Sequence, residues 1–140
     1  MGLVRLGSGA FGPADVDSFG RMRPEMFIGR VSDGVPRLRE VLGDPGPQPA
    51  HIGGAVVEYR LIHLDWPHAG DRFEIRSGLV GIAGHAQRIV HWMLDPASGK
   101  AWGSAEAIAV RLDLQARRMI PLDDAAREFA RAAIVPGLGL

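Results

Sequence analysis

The segment DSFGRMRPEMF, residues 17–27, concentrates the side chains of this sequence that could do chemistry. It contains two carboxylates, Asp17 and Glu25, and two arginines, Arg21 and Arg23. A carboxylate can attack a carbonyl carbon or take a proton from water. The free N–H groups of a helix predicted to begin just after Arg23 could bind a developing oxyanion. The segment therefore predicts a catalytic site with Asp17 as the reacting carboxylate and Glu25 as the second choice.

Each of these side chains also has a purely structural interpretation. Asp17, or equally Asp15, could cap the helix or a turn, and Glu25 is favourable in a first helical turn through the helix dipole alone. Arg21 and Arg23 could bind the phosphates or a carboxylate of a ligand, pair with Asp17, or be solvated on a loop. A direct pair would lower the pKa of the Asp17 carboxyl and keep it ionised at neutral pH.

The histidines do not form a metal-binding pattern. No two of them lie one turn apart on a predicted helix, HExxH is absent, and the chain has no cysteine. We expect structural or cleft-lining roles for His63 and His91, which fall in predicted strands, and exposed positions at turns for His68 and His85. The sequence therefore predicts neither a metal nor a cofactor.

Composition indicates one ordinary globular domain. The chain has 140 residues, 46% of them hydrophobic, with a mean hydropathy of +0.04. Its 16 basic and 16 acidic residues give a net charge of zero, which argues against a nucleic-acid partner. Neither an 18-residue apolar run nor a secretory signal is found, so we expect a cytoplasmic protein without a membrane segment.

A helix is predicted from Pro24, because apolar residues then recur at intervals of three and four. These residues are Met26, Phe27, Val31, Val35, Leu38 and Leu42. Gly34 and Pro36 predict a break or kink near residue 34, with the helix resuming to about residue 42. Residues 43–54 are rich in Gly and Pro and are predicted to form a loop.

Strand patterns follow this loop. After a short opening strand at residues 3–6, strands are predicted at residues 55–65, 72–79, 87–94 and 101–113. The last strand separates small from large residues. One side carries Ala101, Gly103, Ala105, Ala107 and Ala109, and the other carries Trp102, Ile108, Val110 and Leu112. The small residues predict that the helix packs against that face, with Ala105 and Ala107 directly under it.

The predicted fold is α+β, with one long helix wrapped by an antiparallel sheet of about five strands. A single domain covers residues 1–140, with its core at about 11–122. The tail, residues 122–140, begins with a helical stretch that ends near Ala133.

The order of these elements and several segments resemble the hotdog-fold thioesterases, specifically the 4-hydroxybenzoyl-CoA-thioesterase-like branch. The segments are DVDSFGRMRPEMF, VEYRLIHLDWPHAGDRFEIRSGL and AVRLDLQARRMIPL, with a Gly-Asp pair at residues 70–71 and a Leu-Asp pair at residues 112–113. The resemblance covers roughly residues 11–122. It implies a thioester hydrolase that forms a dimer or a dimer of dimers, with the active site in a cleft between subunits.

The family's entry loop commonly has an Asp, a Gly three residues later and an aromatic about ten residues after the Asp. Asp17, Gly20 and Phe27 match these positions, so the resemblance implies a catalytic Asp17 and substrate contacts at Gly20 and Phe27. Arg21 and Arg23, which flank the same loop, are predicted from their charge to contact the substrate as well. The usual Gly-His pair and following Asn residues are replaced by Arg21-Met22-Arg23-Pro24. This departure bears on substrate and activity, not on the fold.

Three functions are compatible with the sequence. The first is hydrolysis of an acyl-CoA thioester with a bulky or aromatic acyl group. The second is a non-catalytic protein that binds acyl-CoA or another small ligand. A hotdog dehydratase or hydratase is disfavoured, because no histidine is positioned with an aspartate on the helix and its entry loop.

Overall fold

The computed structural model describes residues 3–34, 50–122 and 124–134. The elements follow one another as β1 (Val4–Ala10), a 3-10 turn (Pro13–Asp15), α1 (Pro24–Asp33), β2 (Ile52–His63), β3 (Arg72–Ala83), β4 (Ala86–Leu94), β5 (Ala101–Asp113), β6 (Arg118–Ile120) and α2 (Asp124–Ala133). The strands form one antiparallel sheet in the order β1-β3-β4-β5-β2, and the short β6 pairs with the end of β5. The predicted α+β arrangement of one helix against a sheet of about five strands is confirmed.

Element boundaries differ from the predicted ones where pairing outweighs local composition. β2 begins at Ile52 because Gly53 and Gly54 pair with Leu112 and Arg111 of the long strand β5. The sequence predicts both glycines to lie in the loop of residues 43–54. β1 and β3 are longer than predicted, and the three residues of β6 are too few to produce a periodic signal. The predicted helix at residues 35–42 and most of the 43–54 loop lie outside the described residues.

α1 packs on the face of the sheet where β5 has its smallest residues. A Cβ placed on Gly103 would lie 2.7 Å from the Ile62 carbonyl oxygen and 3.3 Å from Cε2 of Phe27 in α1. Ala105 and Ala107, on the same face as Gly103, are completely buried in the core cluster that contains Phe27. Gly103 therefore contacts α1 directly, and Ala105 and Ala107 share the buried face on which this contact lies.

Trp102 is an exception to the predicted division of faces. The register between β4 and β5 slips here, since Met93 pairs with Gly103 but Leu94 pairs with Ala101. This irregularity interrupts the alternation of side chains. Trp102 is buried in the core cluster, edge-on to Phe11, and its indole N–H donates a 3.0 Å hydrogen bond to the Arg72 carbonyl.

A buried polar pair lies on the inner face of the neighbouring strands. Ser77 of β3 and His91 of β4 pair directly across the sheet, and Oγ of Ser77 lies 2.5 Å from Nδ1 of His91. Both residues have almost no exposed surface. Burial lowers the pKa of His91 to about 4, so its ring is neutral at physiological pH.

The packing of α1 on β5 predicts the effect of one substitution. Replacing Ala107 with Leu adds side-chain volume to a filled contact and should lower the free energy of unfolding by about 1–3 kcal/mol. Chemical denaturation measures this change, with Ala97→Leu in the exposed β4–β5 turn as the control. An Ala107→Leu protein as stable as the parent would show that the face assignment is wrong.

The neutral His91 predicts a pH dependence of stability. Above pH about 6.5 the ring is neutral in both states, but as the pH falls toward 4 only the unfolded chain takes up the proton. Folding stability contributed by this residue is therefore complete above about 6.5 and falls by up to about 3 kcal/mol as the pH approaches 4. The aspartates whose pKa values are lowered change the folding stability at lower pH, because the ordinary pKa of the group is 3.8.

Denaturation curves at several pH values between about 7 and 4.5 test this expectation. His91→Gln should lose less stability across the range than the parent, whereas His85→Gln, in the exposed β3–β4 turn, should follow the parent. Identical pH dependence in the parent and His91→Gln would contradict the assignment of a buried neutral imidazole.

Candidate functional site

The loop of residues 16–23, here called the Asp17 loop, leads directly into α1. Val16 forms a β-bridge with Met22, and the Asp17 N–H donates to the Arg21 carbonyl at 2.8 Å. The Gly20 N–H donates to the Asp17 carbonyl at 3.0 Å, and Gly20 has a φ of +78°. A residue with a side chain would be strained at this φ, so the turn itself requires the glycine. The loop is thus closed by its own backbone.

The two oxygens of the Asp17 carboxylate have different environments. Oδ1 accepts hydrogen bonds from the backbone N–H groups of Phe19, at 2.9 Å, and Arg21, at 3.0 Å. Oδ2 lies 3.7 Å from Nε of the Arg21 side chain, and no described residue donates a hydrogen bond to it. One oxygen therefore holds the turn, while the other has no hydrogen-bond donor among the described residues.

The surroundings of Asp17 favour its ionised form. The backbone N–H of Arg21 has the largest effect in lowering the pKa of the carboxyl, partly opposed by desolvation. The Phe19 N–H and the positive charges of Arg21 and Arg23 lower this pKa further. At neutral pH the group is a carboxylate, as nucleophilic attack or proton abstraction from water requires.

Asp15, the other aspartate considered as a cap, has a structural role. It is buried, its Oδ2 accepts a 2.6 Å hydrogen bond from the Gly12 N–H, and its Oδ1 lies 3.5 Å from Nη2 of Arg30 in α1. Its carbonyl also accepts from the Arg23 N–H at 2.9 Å. Asp15 thus joins the 3-10 turn to α1 and positions the Asp17 loop.

Arg21 projects from this loop against two aromatic rings. Its guanidinium carbon lies 5.0 Å from the centroid of the Phe19 ring and 5.6 Å from that of Trp66. Phe19 is 80% exposed and Trp66 is 41% exposed. The pair of rings and the arginine form an open surface beside Oδ2 of Asp17.

Trp66, in the segment that follows β2, is partly exposed beside this loop. The indole stacks on the His63 ring, with centroids 4.8 Å apart and planes inclined by 14°. Nδ1 of His63 is buried without a partner in the described structure, and burial lowers the pKa of this histidine. Its position as the last residue of β2, pairing with Gly103, brings a strand end to the Asp17 loop. The sequence signal for this surface is the WPHAGD segment, which begins at Trp66, three residues after the end of β2.

The remaining predicted site residues lie in or next to this loop. Nε of Arg23 donates a 3.2 Å hydrogen bond to the Val16 carbonyl, so this side chain supports the loop. Glu25 is exposed in the first turn of α1, with no hydrogen bond or ion pair to another described side chain.

Phe27 is completely buried against Gly103, so its ring packs in the core beneath the site. His68 reaches the loop, because its Cδ2 would lie 3.8 Å from a Cβ built on Gly20.

The described part of the chain contains neither a metal site nor a helix that could span a membrane. Within residues 3–34, 50–122 and 124–134, no cluster of three His, Asp or Glu side chains could hold a metal ion. None of the helices in these ranges is long and apolar enough to cross a membrane.

Solved structures share this fold at low sequence identity. A Staphylococcus aureus protein in complex with CoA superposes with a TM-score of 0.78 at 12% identity, over 100% of this chain and 91% of that chain. A Thermus thermophilus thioesterase complexed with coenzyme A and Zn gives 0.75 at 19% identity, over 93% and 99%. A 12:0-ACP thioesterase from Umbellularia californica gives 0.80 at 13% identity, over 97% of this chain and 52% of that chain.

Sequence comparison identifies the family. A search of curated protein sequences finds no match. The model of the Thioesterase-like superfamily matches residues 11–130, which include the Asp17 loop, α1 and the whole of β2 to β6. The resemblance inferred from the sequence is thereby confirmed, and the chain belongs to the thioesterase-like superfamily, with the hotdog fold.

Proposed function

We propose that this protein hydrolyses acyl-CoA thioesters and that Asp17 is the reacting carboxylate. The observation that carries the proposal is the position of the open Oδ2 of this carboxylate beside Arg21 and two exposed aromatic rings. Oδ1 accepts two backbone N–H groups, whereas Oδ2 receives no hydrogen bond from a described residue and lies beside an exposed aromatic surface. Asp113 also accepts two backbone N–H groups on one oxygen, so the feature that distinguishes Asp17 is the Arg21 guanidinium and the exposed rings of Phe19 and Trp66 beside it.

Two routes of hydrolysis fit this geometry. In the first, Oδ2 bonds to the thioester carbonyl carbon, the C–S bond breaks, and the CoA thiolate leaves and takes a proton from water. Water then cleaves the acyl anhydride, which releases the acid and restores Asp17. In the second, Asp17 takes a proton from a water molecule while that water attacks the carbonyl; the C–S bond then breaks, and the leaving CoA thiolate takes the proton from Asp17. Both routes require the ionised Asp17.

The substrate class rests on the relatives and on the surface beside Asp17. The Staphylococcus aureus and Thermus thermophilus structures both contain CoA, which supports a CoA thioester as the substrate. The exposed rings of Phe19 and Trp66 can contact a bulky or aromatic acyl group. Neither metal nor cofactor takes part in the proposed chemistry, and the cytoplasmic location stays a prediction.

We place the site at a boundary between two subunits. In the described sheet β2 pairs only with β5, so its other edge is open to a second copy of the chain. Val57, the extra residue at the β-bulge of this strand, is 60% exposed. Leu64 and Trp66, both exposed, follow directly after β2 and continue this edge to the Asp17 loop. A copy that paired with β2 would therefore lie beside the site.

A second candidate is a binding protein without catalysis. It is favoured by the hydrogen bonds that make Asp17 part of the turn and by Arg21 in place of the usual histidine. A hotdog dehydratase or hydratase is less well supported, since among the described residues no histidine contacts Asp17. Release of free thiol from a panel of acyl-CoA thioesters distinguishes these candidates, because binding alone releases none.

Asp17→Asn tests the proposed role directly. Asn can accept the same backbone hydrogen bonds, so the melting temperature should change little. Since Asn can neither attack nor accept a proton, kcat on the best thioester of the panel should fall by about 100-fold or more. Intact folding with kcat within about threefold of the parent would contradict the assignment, and Glu25 would be tested next.

Asp113→Asn is a matched control for this experiment. Oδ1 of Asp113 accepts the backbone N–H groups of Gln115, at 3.0 Å, and Ala116, at 2.9 Å, and its pKa is lowered chiefly by the Ala116 N–H. Asp113 lies at the opposite end of β5 from Gly103, about 30 Å away along an extended strand. The same chemical change in this turn should leave kcat unaltered.

The subunit boundary predicts that the smallest stable unit is a dimer. Pairing through the open edge of β2 would form a closed two-fold assembly and protect the exposed strand. Analytical ultracentrifugation at micromolar concentration should show a dimer or a dimer of dimers. A monomer under these conditions would overturn both the dimer and the placement of the site at its boundary.

A further inference from the structure

We propose that Arg21 binds the carbonyl oxygen of the thioester and stabilises the negative charge that develops there. This inference rests on the proposed function and adds a second catalytic residue to it. It assigns a role to the arginine that stands where related sequences commonly have histidine.

The guanidinium group is held in place while its hydrogen-bond donors remain available. Contacts with the rings of Phe19 and Trp66, together with Oδ2 of Asp17 at 3.7 Å from Nε, limit its orientations. No described residue accepts a hydrogen bond from it, although its five N–H groups are all donors. A planar cation lying over aromatic rings still presents the N–H groups at its edge.

Distance decides which part of a CoA thioester Arg21 can reach. The atom that attacks must approach the carbonyl carbon to about 3–3.5 Å, so the carbonyl oxygen comes within a few ångströms of Oδ2 of Asp17. Arg21 contacts that same carboxylate. The phosphates of CoA are separated from the thioester by the long pantetheine arm, so the same guanidinium does not reach them when the carbonyl lies at Asp17.

The movement of charge during the reaction favours the same assignment. When Asp17 attacks, or when it takes the proton of an attacking water, its negative charge is neutralised and the electron pair of the C=O bond moves to the carbonyl oxygen. When the C–S bond breaks, the pair returns and the thiolate leaves. A cation that lies beside both Oδ2 of Asp17 and the carbonyl oxygen of the thioester stabilises the negative charge on either atom without having to move. Arginine stays protonated throughout, so this stabilisation does not depend on pH.

Arg21→Gln separates this role from a simple effect on Asp17. The backbone N–H groups that hold Asp17 are unchanged, but the pKa of Asp17 should rise because the Arg21 charge is lost. We therefore compare kcat at about pH 8.5, where Asp17 is ionised in both proteins. With a neutral acyl-CoA, kcat should be about 100-fold lower in Arg21→Gln, and inhibition by free CoA should be unchanged. Arg21→Lys, which keeps the charge, should give an intermediate kcat.

Arg88→Gln is the control for loss of one positive charge. Arg88 pairs with Glu106 at 2.6 Å on the outer face of the sheet, and its replacement should leave kcat unchanged. If kcat of Arg21→Gln returns to within about threefold of the parent at about pH 8.5, Arg21 serves only to keep Asp17 ionised, and the proposal is overturned. A weaker affinity for free CoA at unchanged kcat overturns it in favour of phosphate binding.

The experiment also separates this inference from the proposed function. A parent protein that releases thiol, an inactive Asp17→Asn and a fully active Arg21→Gln would overturn the role of Arg21 alone. A parent that releases no thiol from any thioester of the panel would overturn both proposals.

Discussion

The contact between α1 and β5 at Gly103 determines where the candidate site can form. A side chain on Gly103 would meet the Ile62 carbonyl oxygen at 2.7 Å and the Phe27 ring at 3.3 Å, so the helix can approach the sheet only because this residue is glycine. With Phe27 fixed there, the first turn of α1 and the loop before it lie over the ends of β2 and β5. His63, which pairs with Gly103, is brought to the same place. The Asp17 loop is thus positioned by a core contact.

In the Asp17 loop, the same carboxylate closes the turn and remains ionised at neutral pH. Oδ1 of Asp17 accepts hydrogen bonds from the backbone N–H groups of Phe19 and Arg21, which have no backbone partner in this short loop. The same two N–H groups lower the pKa of the Asp17 carboxyl. The hydrogen bonds that close the loop therefore also keep Oδ2 charged. Arg21, four positions after Asp17, contributes through both its backbone N–H and the charge of its side chain.

The sequence predicts the helix, the main strands and the Asp17 loop because these features have local signals. The small residues at alternate positions of β5 predict the face on which α1 packs. The positions of Trp66 and His63 could not be predicted, because they follow from how the end of β2 packs against a loop more than 40 residues earlier in the chain. The face of Trp102 depends on a register slip, which a simple alternation does not contain.

A crystal structure of the Asp17→Asn protein with a bound acyl-CoA tests most directly whether this loop is the catalytic site. We expect the thioester carbonyl carbon within about 3.5 Å of the residue 17 side chain, and the carbonyl oxygen within hydrogen-bond distance of the Arg21 guanidinium. The pantetheine arm should lead away from the loop. A thioester bound away from residue 17, or an Arg21 guanidinium on a CoA phosphate, would contradict the assignment.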